Sequence, residues 1–190
     1  PSDVCELELD TNTVHRNLKL SDNNRKVIYV REDQSYPDHP DRFDSWPQLL
    51  CRNGLTGRCY WEVERRGRVD ISMSYRGIRR RGNSKDCVFG CNDQSWSLIC
   101  SDDDGYCVWH NNRVTALTSS SVSNRVAVYV DCPAGSLSFY TVSSDSLIHL
   151  HTFNTTFTEP LYPGFRVPSG SSEVCFIPSG LTVMVRGEWW

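Results

Sequence analysis

Val69-Asp70-Ile71-Ser72-Met73-Ser74-Tyr75 alternates apolar and polar residues without a break. Successive side chains of a β-strand point to opposite faces of its sheet, so this stretch predicts a strand with an apolar row toward a core and a small polar row outward. Residues 59–64 alternate in the same way, with Trp61 and Val63 on the apolar side. Since no window of a dozen residues carries a helical stripe, the chain is predicted to be all-β.

Further strands are predicted over residues 96–100, 125–130 and 136–142. The last two flank Pro133-Ala134-Gly135, a turn sequence that predicts a hairpin. Loops rich in Asp, Ser, Asn, Gly or Pro fall at residues 33–45, 76–86, 101–105, 118–124 and 143–146. Many short strands separated by such loops favour an antiparallel β-sandwich of two sheets, with few or no helices.

The composition fits one large domain with a proper core, because 38% of the 190 residues are hydrophobic and 11% are aromatic. A formal net charge of -3 gives no global reason to expect nucleic acid or an anionic membrane as partner. No apolar run approaches the roughly 20 residues of a membrane helix, so we expect no membrane span. The chain starts without Met, which suggests a piece of a longer protein.

Enzyme signatures are not found in the sequence. It has no phosphate-binding Gly-rich loop with its Lys, no Gly-x-Ser-x-Gly and no His-Glu-x-x-His. Asp102 begins an acidic turn without the later Glu of a calcium loop. His149 and His151 lie two apart on a strand pattern, so both rings should face one side; a metal enzyme built on them is an alternative that lacks a third ligand. We expect no catalysis and no cofactor.

Nine cysteines, an odd number without any Cys-x-x-Cys, are interpreted as reduced and mostly core thiols. That interpretation predicts a cytoplasmic location and nine free thiols after denaturation. The alternative is a secreted or toxin-like relative, the only case in which the sequon Asn154-Thr155-Thr156 would matter.

Arginine is concentrated at both ends of the 69–75 strand. Seven arginines fall within 17 residues: Arg65, Arg66, Arg68, Arg76, Arg79, Arg80 and Arg81. We interpret the two arginine clusters as solvent-exposed tips of two hairpins. The alternative is that they bind RNA or a phosphate ligand.

Several fragments together resemble the PRY-SPRY domain that ends many tripartite-motif ubiquitin ligases, butyrophilins and fish NOD-like receptors. The PRY-like fragments are CELELDTNT (5–13), HRNLKLS (15–21) and YPDHPDRF (36–43). The SPRY-like ones are GRCYWEVE (57–64), WSL (96–98), VYVDCPAGSLSFY (128–140) and FTEPLYPGF (157–165). Two framework motifs depart from the family pattern: Leu-Asp-Pro reads Leu9-Asp10-Thr11 here, and Leu-Asp-Tyr-Glu reads Val130-Asp131-Cys132-Pro133.

The resemblance implies a bent sandwich without catalytic activity that binds a protein partner through loops over a concave sheet face. Residues 1–50 would form the PRY part, residues 51–178 the SPRY part with a shared core, and residues 179–190 a tail without counterpart. We expect a monomeric module, within a parent protein that can oligomerise, that selects targets for an innate-immune tripartite-motif ligase or NOD-like receptor.

The resemblance also implies where a partner binds. The expected contacts on and beside the alternating strand are Asp70, Ser101, Asp102, Tyr106 and Phe157, bordered by Tyr36, His39, Arg42, Arg79 and Arg80. Instead of contacting a partner, these residues could support the fold: Asp70 could hydrogen-bond a loop, and Phe157 could belong to the core. If both face the ligand, Asp70→Arg with Phe157→Ala should abolish partner capture and leave thermal unfolding nearly unchanged.

Overall fold

The structure, a computed structural model, describes residues 3–119 and 122–186. Strands hold 46% of the residues and helices 4%, which confirms the all-β prediction. The strands are β1 (Leu18–Ser21), β2 (Lys26–Tyr29), β3 (Gln48–Leu50), β4 (Arg58–Arg66), β5 (Val69–Tyr75), β6 (Ser95–Ser101), β7 (Gly105–His110), β8 (Arg113–Leu117), β9 (Arg125–Asp131), β10 (Ser136–Ser143), β11 (Ser146–Asn154), β12 (Leu161–Arg166) and β13 (Glu173–Phe176). Short 3₁₀ helices span Lys85–Cys87 and Ser179–Leu181, and α1 spans Val183–Arg186.

Two antiparallel sheets form the sandwich, as predicted. The seven-stranded sheet has the order β1-β2-β13-β4-β9-β10-β11, and the six-stranded sheet has the order β3-β12-β5-β6-β7-β8. β2 pairs with β13, which in turn pairs with β4. The N-terminal block therefore completes a sheet whose other strands come from later in the chain.

The inner faces follow the predicted alternation. Trp61 of β4 and Phe165 of β12 meet edge to face across the sandwich, with ring centroids 5.8 Å apart. Val63, Val128 and Phe139 are fully buried, as their places in the apolar rows require. Removal of this apolar surface from water is the main stabilising contribution to the sandwich.

The predicted hairpin joins β9 to β10, with Leu137 opposite Val130. Gly135 closes its turn with a φ of +72°. A Cβ at this position would lie 1.9 Å from the carbonyl oxygen of Thr155, so glycine is required both by conformation and by space. The predicted 118–124 loop includes residues 120 and 121, and the predicted tail includes residues 187–190, all of which lie outside the described residues.

Candidate functional site

The outer face of β5 lies beneath the long connection between β5 and β6. Ser72 and Ser97 pair across these strands, and their hydroxyl oxygens are 2.8 Å apart. Gly90, with a φ of +88°, passes so close that a Cβ there would stand 3.1 Å from the Ser97 Cβ. Ser72, Ser74 and Ser97 are all fully buried. The prediction that this polar row faces solvent is therefore wrong, because small side chains let the loop backbone pack directly on the sheet.

Asp70 occupies the end of the same face, between two guanidinium groups. Its Oδ2 accepts a 2.8 Å hydrogen bond from Nε of Arg166 on β12, and its Oδ1 lies 3.5 Å from Nε of Arg68. The Arg166 guanidinium also lies over the Trp46 ring, 5.7 Å from its centroid. Asp70 is fully buried whereas the Arg68 side chain is 44% exposed. The expectation that Asp70 is exposed is wrong, and Arg68 is the member of this group that faces solvent.

The rest of this face opens toward the edge strand β8. Cys107 pairs with Ala116, and Trp109 pairs with Val114. Ala116 is exposed, and Val114 is 56% exposed. We call Arg68, Asp70, Cys107, Val114 and Ala116 the open face. Sequence reasoning missed β8; the alternation of Val114 and Ala116 with Thr115 was its signal, weakened by the lack of large apolar residues.

Among the five residues of the open face, Cys107 carries the side chain that could act as a nucleophile. Burial raises its pKa, and the negative charge of Asp70 raises it further. A thiol with a raised pKa is protonated at neutral pH and reacts slowly. The open face is therefore suited to contact rather than to covalent chemistry.

The β6–β7 turn lies beside the open face, since Cys100 at the end of β6 pairs with Val69. Ser101 is half-buried, and Asp102 is exposed. Asp102 Oδ1 accepts a 2.9 Å hydrogen bond from Nη1 of Arg65, whose side chain is completely buried. The structure thus brings Asp70, Ser101 and Asp102 to one end of the sheet. The solvated-tip interpretation is wrong for Arg65.

Tyr106 and Phe157 do not reach the open face. Tyr106 is 2% exposed, and its hydroxyl lies 3.0 Å from Oγ1 of Thr141 in the interior. Phe157 is half-buried and packs edge to face on Trp96, with centroids 5.2 Å apart. Because Trp96 points into the sandwich, Phe157 and Asp70 lie on different faces of the sheet.

The N-terminal loop around Tyr36 is fastened by two buried arginines. Arg42 donates to the carbonyl of Val14 at 2.7 Å and lies 5.1 Å from the Tyr36 ring centroid. Arg80 donates to the carbonyl of Asp41 at 2.5 Å and lies 5.0 Å from the Phe43 ring centroid. Both arginines are 9% exposed, so the expectation of solvated tips is also wrong for Arg80. Among the predicted bordering residues, His39 is half-buried and Arg79 is exposed.

His149 and His151 do not face the same side. A bulge in β11 shifts the register, so that Tyr140 pairs with His149 but Phe139 pairs with His151. His149 faces outward and contacts Thr152 Oγ1 at 2.7 Å, whereas His151 packs on Phe153 with centroids 4.5 Å apart. No group of three or more metal-ligating side chains occurs within the described part of the chain.

Cys5 and Cys59 form a disulfide that ties the N-terminal segment to β4. The prediction of nine reduced thiols is therefore wrong for these two. The other seven cysteines are free: Cys51, Cys87, Cys91, Cys100, Cys107, Cys132 and Cys175. Burial raises the pKa of the fully buried Cys100 thiol to about 12, so it stays protonated.

Family models match almost the whole chain. The SPRY-associated domain, PRY, matches residues 7–55, and the SPRY domain matches residues 58–179. The chain belongs to the PRY-SPRY family. The resemblance seen in the sequence is thereby confirmed. Within the described residues, no helix of this PRY-SPRY chain is both long and apolar enough to cross a bilayer.

Curated relatives of this PRY-SPRY chain include fish toxins and tripartite-motif proteins. Stonustoxin subunit beta of Synanceia horrida is 40% identical over 90% of this chain and 24% of its own length. Tripartite motif-containing protein 16 of Mus musculus is 33% identical over 93% of this chain and 32% of its own length. The chain thus spans about a quarter to a third of these relatives.

Solved structures with the same fold come from both groups. The stonustoxin structure superposes with a TM-score of 0.87 and 37% identity over 92% of this chain and 29% of that chain. The TRIM65 PSpry domain superposes with a TM-score of 0.82 and 26% identity over 93% of this chain and 92% of that domain. SPRY domains of this kind are generally interaction modules without catalytic activity.

Proposed function

We propose that this PRY-SPRY chain is a non-catalytic recognition module that binds a protein partner at the open face. The observation that carries the proposal is that exposed Val114 and Ala116 of β8 lie on the same face of the six-stranded sheet as the half-exposed Arg68 guanidinium, across β6 and β7. Arginine is enriched among the energetic centres of protein interfaces, and exposed apolar side chains on the same face supply contact area that excludes water. The rigid sheet below holds these groups in place before the partner arrives.

The charges favour a single carboxylate in the partner, because exposed Asp103 and Asp104 of the adjacent β6–β7 turn would repel a longer acidic segment. Asp70 is one carboxylate shared by the guanidinium groups of Arg68 and Arg166, which leaves one net positive charge. A partner carboxylate would complete the coordination of Arg68, and apolar side chains of the same partner, reaching across β6 and β7, would cover Val114 and Ala116.

Two parent proteins fit such a module. The similarity to tripartite motif-containing proteins 16 and 14, at 33% and 35% identity, supports a target-selecting domain in an innate-immune ligase, with a NOD-like receptor as a related architecture. The 40% identity to stonustoxin subunit beta supports a domain of a toxin-like protein, and the Cys5–Cys59 disulfide favours this second candidate. A cytoplasmic location, as expected from the sequence, goes with the first candidate, and an oxidising compartment goes with the second.

Binding of RNA through the arginine clusters is not favoured by the contacts. Arg76 donates to carboxylates of Asp10 and Asp41, both at 3.0 Å, and Arg66 pairs with Glu173 at 3.0 Å. With Arg65 and Arg80 buried as well, most of the clustered guanidinium groups already pair with carboxylates or carbonyls of the chain itself.

Selection of binders from a displayed random peptide library tests the proposed function. We expect selected peptides to combine acidic and apolar residues, and Arg68→Ala and Ala116→Arg to weaken their binding at least tenfold without lowering the melting temperature. Lys19→Glu, an exposed change on the other sheet, is the control and should bind as the unmodified chain does. Equal binding by all variants would place the partner elsewhere, and nucleic-acid binding that falls steeply with salt would favour the RNA alternative.

A further inference from the structure

The C-terminal segment covers part of the outer face of the seven-stranded sheet, on the opposite side of the molecule from the open face. Thr182, Val183 and Met184 are 1%, 0% and 9% exposed. Val183 and Met184 form an apolar cluster with Tyr60, Ala127 and Val142 of β4, β9 and β10. The two tail side chains thus fill a depression in the sheet surface.

Two charged groups of the sheet bind the main chain of this segment. The fully buried Glu62 carboxylate accepts a 2.6 Å hydrogen bond from the backbone N–H of Val183. Its other oxygen lies 2.8 Å from Nε of Arg125, and Arg125 Nη2 donates to the carbonyl of Leu181 at 2.7 Å. A carboxylate for a peptide N–H and a guanidinium for a peptide C=O recognise backbone, whatever the side chains. Val183 and Met184 supply the side-chain contacts.

The surface under the tail is formed by strands whose pairing does not involve the tail. β4 pairs with β13 and β9, and β9 pairs with β10. Among the described residues, the segment 179–186 takes part in no strand pairing. Tyr129, Tyr140 and Leu147, all half-buried, extend the apolar surface beyond the described part of the tail. This surface therefore resembles a preformed peptide-binding groove, and the segment that fills it belongs to the same chain.

We propose that this depression, formed by Tyr60, Glu62, Arg125, Ala127 and Val142, is a second peptide-binding groove and that the Leu181–Met184 segment is its tethered ligand. The ligand class is a short segment with two consecutive apolar residues and a free backbone N–H and C=O at the positions of Val183 and Leu181. An external peptide of this class binds only when the tail leaves, so the tail is a competitive cover. This groove is separate from the open face, and its occupancy does not depend on the proposed function.

A labelled synthetic peptide of residues 179–186 is the probe for this groove. In the full chain, Val183→Asp with Met184→Asp should expel the tail, since two carboxylates cannot remain in an apolar seat. We expect the double variant to bind the probe at least tenfold more tightly than the unmodified chain, measured by fluorescence anisotropy. Leu181→Asp is the matched control, because Leu181 is 57% exposed and its substitution should leave the tail in place. A probe peptide carrying the same two Asp substitutions should not bind.

Two results would overturn the proposal: a folded double variant that does not bind the probe, or equal binding by the variant and the unmodified chain. If the double variant does not fold, amide hydrogen exchange on the unmodified chain decides the question. The Val183 amide should exchange at least a hundredfold faster than the amides of β9, because the tail opens on its own. Equal protection would mean that the tail opens only when the whole domain unfolds, and the groove would then be core.

Discussion

The Asp70 carboxylate and the Arg166 guanidinium, on neighbouring strands β5 and β12, are joined by a 2.8 Å hydrogen bond on the outer face of the six-stranded sheet. Asp70 is fully buried, and the Arg166 side chain is 11% exposed. A buried ion pair gains little over apolar packing, but removal of one partner leaves the other charge desolvated and unpaired. Asp70 is thus both part of the candidate site and part of its framework.

Asp70→Asn should destabilise the domain by about 3 kcal/mol, because the Arg166 guanidinium loses its counter-charge. In a domain of this size that loss lowers the melting temperature by about 10 °C. The same change at the exposed Asp93 is the control and should shift melting by less than about 2 °C. The result also bears on the earlier expectation for Asp70→Arg: we now expect a large loss of stability, and unchanged melting would contradict the buried position of Asp70.

Asp102→Ala should cost about 1 kcal/mol, at the upper end of what an exposed carboxylate contributes in an ion pair. Its partner Arg65 is completely buried, so loss of the 2.9 Å contact removes the only carboxylate that the structure pairs with that guanidinium among the described residues. Asp103→Ala in the same turn is the matched control and should be nearly neutral. Chemical denaturation of the two variants checks the prediction, and equal stability of both would mean that solvent replaces Asp102 without cost.

The Cys5–Cys59 bond closes a loop with a sequence separation of 54 residues. Loop-closure entropy for such a length corresponds to about 4 kcal/mol of stabilisation. Thiol titration of the denatured, unreduced chain should therefore give seven thiols, and nine after reduction. Cys5→Ser should lower the melting temperature as much as reduction does, whereas Cys175→Ser should not. Nine thiols without reduction would restore the reduced interpretation and with it the premise for a cytoplasmic location.

The alternation of apolar residues predicted β4, β5, β6, β9 and β10 because burial of one face leaves a period of two in the sequence. The same signal could not show what covers the other face. A row of Ser72 and Ser74 reads as a solvent-facing row, yet serine is also small enough to admit a loop backbone such as that of Gly90. An alternation of apolar and polar residues identifies which side of a strand faces the core. It does not show whether solvent or a loop covers the other side.

The candidate site was predictable only in part for a related reason. Asp70, Ser101 and Asp102 come together because β5 and β6 are antiparallel neighbours, so that the start of β5 lies beside the end of β6. Arg65 reads as a solvated arginine, and its burial depends on a tertiary contact with Asp102 that no local pattern contains. The bulge that separates His149 from His151 has no sequence mark either, since it inserts one residue without a Gly or Pro.

His15 is a buried titratable group in the N-terminal block, with 3% of its surface exposed. Burial, and to a lesser degree the charge of Arg16, lowers its pKa to about 4 from 6.5. Its Nδ1 accepts a 3.1 Å hydrogen bond from the backbone N–H of Asn17. The native chain therefore holds His15 neutral over a range of pH in which the unfolded chain binds a proton.

The stability of the domain should consequently fall as the pH drops from about 6.5 toward 4. The unfolded state binds more protons in this window, so the contribution of neutral His15, complete above pH 6.5, is lost progressively on acidification. Between pH 7 and 4.5 the loss due to His15 is about 2.5 kcal/mol. His15→Asn keeps an acceptor for the Asn17 N–H and removes the titrating group. Between pH 7 and 4.5 the free energy of unfolding of this variant should therefore fall by about 2.5 kcal/mol less than that of the unmodified chain. His151, whose pKa is also lowered by burial and by His149, affects both proteins equally and cancels in the comparison. Parallel pH profiles from urea unfolding of the two proteins would show that His15 is protonated equally in the folded and unfolded states.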